Sequence, residues 1–226
     1  MSVLVEFSGV SAYATDGRSL FDGLDMTLNG GEKVLLTAPL ASGKSLIIKW
    51  MTGLALPDKG AVSVFGKPLA GLSDHALNRI RSRIGVVAHE SVLISNLKVV
   101  ENCALPLQYH LDMPYDDAID KAMGLLKKAG FTGNPWDMPG NLPMYARKQA
   151  VCARALANDP EIVICEALSD GLTPIEREHL FAMLLDYHKA GKGRLCFFTG
   201  NDASDEPVIK PDRMLRIERG VIITGC

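Results

Sequence analysis

Nothing in this 226-residue chain is present in excess, and what it has little of narrows the possibilities. The formal charge is only -2 at pH 7 with a pI near 6.2, so there is no basic footprint and no nucleic-acid partner is expected. No apolar run approaches the ~18 residues that cross a bilayer, and Met1 to Thr15 lacks the charged-then-apolar order of a secretion signal. A cytoplasmic chain is expected. The five cysteines (103, 152, 165, 196, 226) are scattered, and several sit in apolar runs. That spacing excludes a disulfide framework and a zinc site, and predicts buried free thiols. Internal repeats and low-complexity linkers are also missing. What remains, 47% hydrophobic and 22% charged, suits a globular chain of one large domain or a domain with a subdomain.

The shortage with the greatest chemical weight is one of glycine. Ala38-Pro39-Leu40-Ala41-Ser42-Gly43-Lys44-Ser45 follows the phosphate-loop pattern G-x-x-x-x-G-K-[ST], except that Ala38 stands at the first glycine. The setting is the required one. Glu32 to Thr37 is a short apolar run with the character of a strand buried on both faces, and Ser45 to Thr52 has a helical pattern that Gly53 ends. In such a loop, backbone N–H groups and the helix dipole converge on phosphate oxygens. Lys44 reaches the terminal phosphates and the Ser45 hydroxyl ligates Mg²⁺. The competing interpretation, ordinary helix capping by Gly-Lys-Ser, is weakened by having both strand and helix in place. Ala38 and Ala41 add methyl groups where backbone must approach phosphate, and Leu40 and Leu46 add bulk. Weakened binding of ATP and Mg²⁺ is expected.

Along the chain, Val3 to Phe7 and Gly23 to Leu28 form candidate antiparallel strands around a polar turn at residues 14–18, and residues 29–31 turn tightly into the loop strand. Ile84 to Ala88, Glu161 to Cys165 and Gly193 to Thr199 are further β-rich runs, and residues 213–224 suggest a closing hairpin turning at Gly220. Residues 91–158 are helical in pattern. Ala118, Ala122, Leu125, Leu126 and Ala129 recur at helical spacing before Gly130, and Pro135, Pro139 and Pro143 punctuate an irregular stretch. An α/β core with a helical insertion follows.

The framing residues complete the picture: Tyr13 ahead of the first turn, Gly31-Glu32, Ile84-Gly85-Val86-Val87, Val100-Glu101-Asn102, and Ala153-Arg154-Ala155-Leu156-Ala157-Asn158-Asp159-Pro160. Over essentially its full length the chain resembles an ATP-binding cassette (ABC) transporter ATPase. The resemblance implies a RecA-like P-loop NTPase core of α/β class over residues 1–90 and 159–226. An antiparallel β-subdomain belongs to it, and a helical subdomain is inserted at residues 91–158. It also implies a head-to-tail dimer, with itself or with another ABC ATPase, seated beneath membrane permease subunits on the inner face of the membrane. Tyr13 would stack on adenine. Pro106 to His110 and Gly171 to Pro174 resemble the branch that serves lipid-shuttling systems.

Against that family's pattern the departures gather at the chemistry. Counting from Asp159-Pro160 and from Leu172-Thr173-Pro174 places Glu166 at the magnesium-holding aspartate and Ala167 at the catalytic glutamate. A missing base commonly costs on the order of 10²–10⁴ in rate. Gly200 stands at the switch histidine, followed by a polar Gly-Asn-Asp turn. His89 stands at the magnesium-sensing glutamine, Leu142 to Ala146 at the signature, and Thr173 at the D-loop aspartate. Pro143 removes an N–H from the signature, and Met144 and Tyr145 are bulky enough to obstruct an anion there. Three functions remain open: a nucleotide-binding transporter subunit that hydrolyses poorly or not at all, an active divergent ATPase using Glu166 or His89, and an interaction scaffold that binds no nucleotide.

Overall fold

The computed structural model describes residues 2–39, 42–90, 92–218 and 220–225. It divides into two compact units, Met1–Arg81 with Lys192–Cys226, and Ser82–Gly191.

The first unit holds two sheets. β1 (Val3–Tyr13) and β2 (Ser19–Asn29) run antiparallel, with β4 (Lys59–Val64) and β5 (Lys67–Pro68) continuing beyond β1 in the order β2-β1-β4-β5. Both long strands extend past the expected runs because the β1 ladder shifts register between Phe7 and Val10 and then continues. Gly9 takes φ 58° there, and the Asp25 carboxylate accepts its N–H at 2.8 Å. Such a bulge bends a strand without ending it. The β4–β5 hairpin, which the sequence did not suggest, turns through Phe65 and Gly66, both at positive φ. The second sheet places β3 (Lys33–Thr37) between β8 (Leu195–Gly200) and β9 (Arg213–Glu218), parallel to both. β10 (Val221–Gly225) closes the expected hairpin on β9, turning at Gly220.

β3 and β8 are almost wholly buried, as central parallel strands must be. α1 (Lys44–Met51) follows β3, α2 (Asp74–Arg81) follows β5, and the short α7 (Glu206–Ile209) follows β8. Trp50 of α1 is fully buried. It meets Phe21 edge-on at 5.4 Å and Phe7 at 6.4 Å between ring centroids, so the helix after the loop is packed on the antiparallel strands.

The second unit pairs β6 (Ile84–Val87) with β7 (Ile162–Glu166) in parallel and adds α3 (Val99–Leu111), α4 (Tyr115–Lys128), α5 (Met144–Ala155) and α6 (Pro174–Ala190). Two buried amides hold its loops. Asn102 accepts from the Ile94 N–H at 2.7 Å and donates to the carbonyls of Ile94, Leu97 and Lys98. Gln149 donates to the carbonyls of Ala129 and Gly130, where α4 ends, and accepts from the Thr132 N–H. Buried amides so satisfied define loop geometry because each unmet bond would cost about 1–3 kcal/mol. Among the described residues no helix is long and apolar enough to cross a membrane.

Candidate functional site

The phosphate-loop stretch lies in the first unit, between the buried strand β3 and helix α1, although Leu40 and Ala41 fall outside the described residues. Ala38 is buried, and its N–H donates to the Gly200 carbonyl at 3.2 Å. Pro39 and Ser45 are exposed, and Ser42, Gly43, Lys44 and Leu46 are half-buried. Gly43 takes φ 93° and opens α1 without a side-chain cap. A Cβ added there would stand 2.6 Å from the Phe21 ring, so both conformation and space require glycine. The Leu46 N–H donates to the Gly43 carbonyl at 2.9 Å, which sets the first turn.

Lys44 does not project alone. Its ammonium donates to the Ala38 carbonyl at 2.6 Å, the Gly200 carbonyl at 2.7 Å and Asn201 Oδ1 at 2.7 Å. Asn201 was expected to belong to a plain Gly-Asn-Asp turn. The fold instead brings its side chain onto the loop lysine, a role no sequence pattern marks. Beside it, the Ser204 hydroxyl and amide hold the Asp202 carboxyl below the usual carboxylate range, with a smaller pull from Lys44. Tyr13 ends β1. Its N–H donates to the Asp58 carboxylate at 2.9 Å, the residue is 42% exposed, and the Lys59 ammonium lies 5.8 Å from the ring centroid. The aromatic face is therefore presented at the surface beside a cation.

One feature of the loop suits a phosphate ligand: Ser42 Oγ is buried and has no hydrogen-bond partner among the described residues. Magnesium is usually held by nucleotide phosphates and water plus one or two protein oxygens. Within the first unit, Ser45 is exposed at the start of α1; within the second, Glu166 ends β7. Among the described residues no group of three His, Cys, Asp or Glu side chains gathers to hold a metal without a nucleotide.

The remaining candidates lie in the second unit. Ala167 follows Glu166, is 7% exposed and takes φ 45°, so a buried methyl group occupies the position after the carboxylate. His89 Nδ1 lies 3.6 Å from Asp170 Oδ2, both side chains about half exposed. Thr173 caps α6: its Oγ1 accepts from the Glu176 N–H, and the Glu176 carboxylate accepts from the Thr173 N–H at 2.8 Å.

The region around Leu142 to Ala146 is tied to this same end of the unit. Pro143 precedes α5, which begins at Met144. The Met144 sulfur lies 2.6 Å from where a Cβ on Gly171 would be, so the thioether covers that glycine. Tyr145 Oη lies 3.2 Å from His179 Nδ1, while burial and then the Glu176 carboxylate push the phenol up. Lys148, which is almost fully buried, donates to the Leu168 carbonyl at 2.6 Å. His89, Met144, Arg147, Lys148, Asp170 and Gly171 line a cleft of about 470 Å³. No sequence pattern marks these pairings, because each joins residues that are far apart in the chain.

Residues 21–167 match the ABC transporter family, and the chain belongs to it. It is 28% identical over 201 residues to the probable ribonucleotide transport ATP-binding protein mkl of Mycobacterium bovis, covering 89% of this chain and 56% of that one. To the methionine import ATP-binding protein MetN 2 of Enterococcus faecalis it is 29% identical over 180 residues, covering 80% and 51%. The chain thus spans about half the length of these curated relatives. Among solved structures, the dimeric ATP-binding cassette MJ0796 in a post-hydrolysis state with ADP and Pi matches with a TM-score of 0.88 at 24% identity, over 97% of this chain and 96% of that one. The cbiO1 protein from Clostridium perfringens, part of the ABC transporter complex cbiONQ, matches with a TM-score of 0.84 at 20% identity, over 100% and 89%. At these identities the likeness defines the fold: an ABC ATPase cassette of mixed α/β type.

Proposed function

We propose that this chain is the nucleotide-binding subunit of an ABC-type membrane transporter, with degenerate motifs. It binds Mg-ATP weakly, hydrolyses it poorly or not at all, and serves as a structural or regulatory half of the assembly. In this reading it pairs with a second ABC ATPase, a copy of itself or a different chain. It then sits on the cytoplasmic face of the membrane through permease subunits. The transport and import roles in the names of mkl and MetN 2 support the setting.

One observation carries the functional part. The position after Glu166 holds the buried methyl of Ala167, which neither accepts a proton nor orients a water. The surroundings of α5 support it further. Pro143 has no N–H to offer an anion, and Met144 and Tyr145 stand at the helix start, Met144 over Gly171 and Tyr145 beside His179. Tyr13, Ser42, Lys44 and Ser45 are assigned to nucleotide, and Ser45, Glu166 and His89 to the magnesium surroundings.

Calorimetric titration with Mg-ATP, run beside a phosphate-release assay, tests the proposal. Weak heat that Lys44→Ala abolishes is expected, with phosphate release no faster than in that variant. Turnover that Lys44→Ala removes would establish an active divergent ATPase instead. No heat and no thermal shift at millimolar ATP would leave the interaction scaffold.

A further inference from the structure

The acceptors described around the Lys44 ammonium, the Ala38 and Gly200 carbonyls and Asn201 Oδ1, are unequal. An ammonium group has three N–H bonds and no acceptor capacity. The Ala38 and Gly200 carbonyls are main-chain groups fixed at the ends of β3 and β8, the two strands that pair in parallel through Leu36↔Thr199 and Thr37↔Gly200. They cannot leave without disturbing the sheet. Asn201 Oδ1 belongs to a side chain on an exposed residue just beyond β8, free to rotate about its own torsions. It also faces open space: Thr37, Ala38, Pro39, Asn201, Asp202 and Arg216 line a cleft of about 380 Å³.

We infer that Asn201 is a positioning residue of the loop, whose Oδ1 holds on Lys44 the place that a phosphate oxygen takes, so that an incoming polyphosphate must displace it. This deepens the function proposed above and rests on it for the identity of the anion. Geometry supports the assignment in three ways. A carboxamide oxygen is the neutral side-chain group nearest to a phosphate oxygen in acceptor character, and its 2.7 Å separation is that of a charge-assisted hydrogen bond. Gly200 leaves no side chain between strand end and lysine: a Cβ there would meet the Asp202 carbonyl at 3.0 Å, so the turn that delivers Asn201 depends on the residue before it being small. The Asp202 carboxylate is tied to the Ser204 N–H at 2.9 Å, which leaves Asn201 as the side-chain partner of Lys44 in this turn among the bonds described.

The effect is one of competition. An acceptor already bound to the ammonium raises the concentration of anion needed to recruit it, and exchange of one such bond for water is a change of roughly three- to ten-fold. The neutral amide makes that threshold moderate. A carboxylate in its place would both hold Lys44 harder and repel phosphate.

The test compares wild type, Asn201→Ala, Asn201→Asp and Lys44→Ala as full chains. In the absence of nucleotide, the acetylation rate of Lys44 by acetic anhydride is measured by peptide mass spectrometry, with exposed Lys49 and Lys67 as internal references. Asn201→Ala is expected to accelerate Lys44 labelling roughly three- to ten-fold and Asn201→Asp to slow it, while the reference lysines stay constant. Titration with Mg-ATP should then show tighter binding by a similar factor in Asn201→Ala and weaker binding in Asn201→Asp. A merely structural role for Asn201 would not give opposite signs in the two variants. Unchanged Lys44 labelling, or ATP binding that Asn201→Ala leaves unaltered, overturns the inference. If no protein binds Mg-ATP, the nucleotide-binding function falls, and the labelling rates still decide whether Asn201 holds the lysine.

Discussion

The backbone of Gly85 on β6 lies against the carbonyl of Ala155 on α5, far inside the distance at which a side chain would fit. Both residues belong to stretches that carried the family resemblance, and the fold shows them to be two faces of one contact. The relationship predicts the outcome of Gly85→Ala. Reduced freedom of the unfolded chain favours such a change by about 0.4–1 kcal/mol, but a methyl driven into main chain costs about 3 kcal/mol or more. The clash wins. The net of about 2–2.6 kcal/mol corresponds to a loss of roughly 4–10 °C in Tm by calorimetry; a Tm within 2 °C of wild type would show that β6 and α5 separate without cost.

Thr173 and Glu176 predict a pH dependence. The Thr173 N–H, and then its hydroxyl, hold the Glu176 carboxyl below the usual glutamate range. A carboxyl lowered in the fold contributes stability that is present above its unfolded pKa and is lost as pH falls through the folded value. The Tm difference between wild type and Glu176→Gln should therefore be largest near pH 7 and should vanish on acidification through and below the ordinary glutamate range. Thr173→Ala, which removes the hydroxyl acceptor at the start of α6, is expected to cost about 1 kcal/mol. Thermal melts from pH 7 to pH 3 check both.

The thiols predict inertness. Cys103, Cys152, Cys165 and Cys196 are buried and form no disulfide, in line with the scattered spacing, while Cys226 lies outside the described residues. Burial pushes the Cys103, Cys152 and Cys196 thiols up to about 12. At pH 8 these three should stay unmodified by an aromatic disulfide reagent until the chain unfolds, with labelling and unfolding midpoints coinciding in denaturant. Because a thiol raised in the fold is held neutral, its contribution is complete below the unfolded value of about 8.5 and declines as pH rises from there toward about 12. Rapid modification of Cys152 in the folded protein would contradict its burial.

Much of the architecture was legible in the chain because it is written locally. The apolar runs gave β3, β6, β7 and β8 to within about two residues, and the spacing of Ala118 to Ala129 gave α4. Longer strands were hidden by the bulge at Gly9, which interrupts alternation without ending pairing. Several family words proved to be packing devices. Glu32 binds back to Asn29 through both carboxylate oxygens, Asn102 fastens residues 94–98, and Asp159 sits within hydrogen-bond reach of the Tyr187 hydroxyl. At the candidate site, identities such as Ala167 and Gly200 could be counted from fixed points. Partners could not. That Asn201 lies on Lys44, across 157 positions of chain, is a product of strand pairing that neither residue announces.

Gly43 has a meaning beyond its motif. Its nearest constraint is the ring of Phe21, itself wedged edge-on against Trp50. A polypeptide of this lineage that had abandoned triphosphates altogether would still be obliged to keep that glycine, for reasons as mundane as the thickness of an aromatic ring. Its survival is thus testimony about carpentry, and says nothing of fuel.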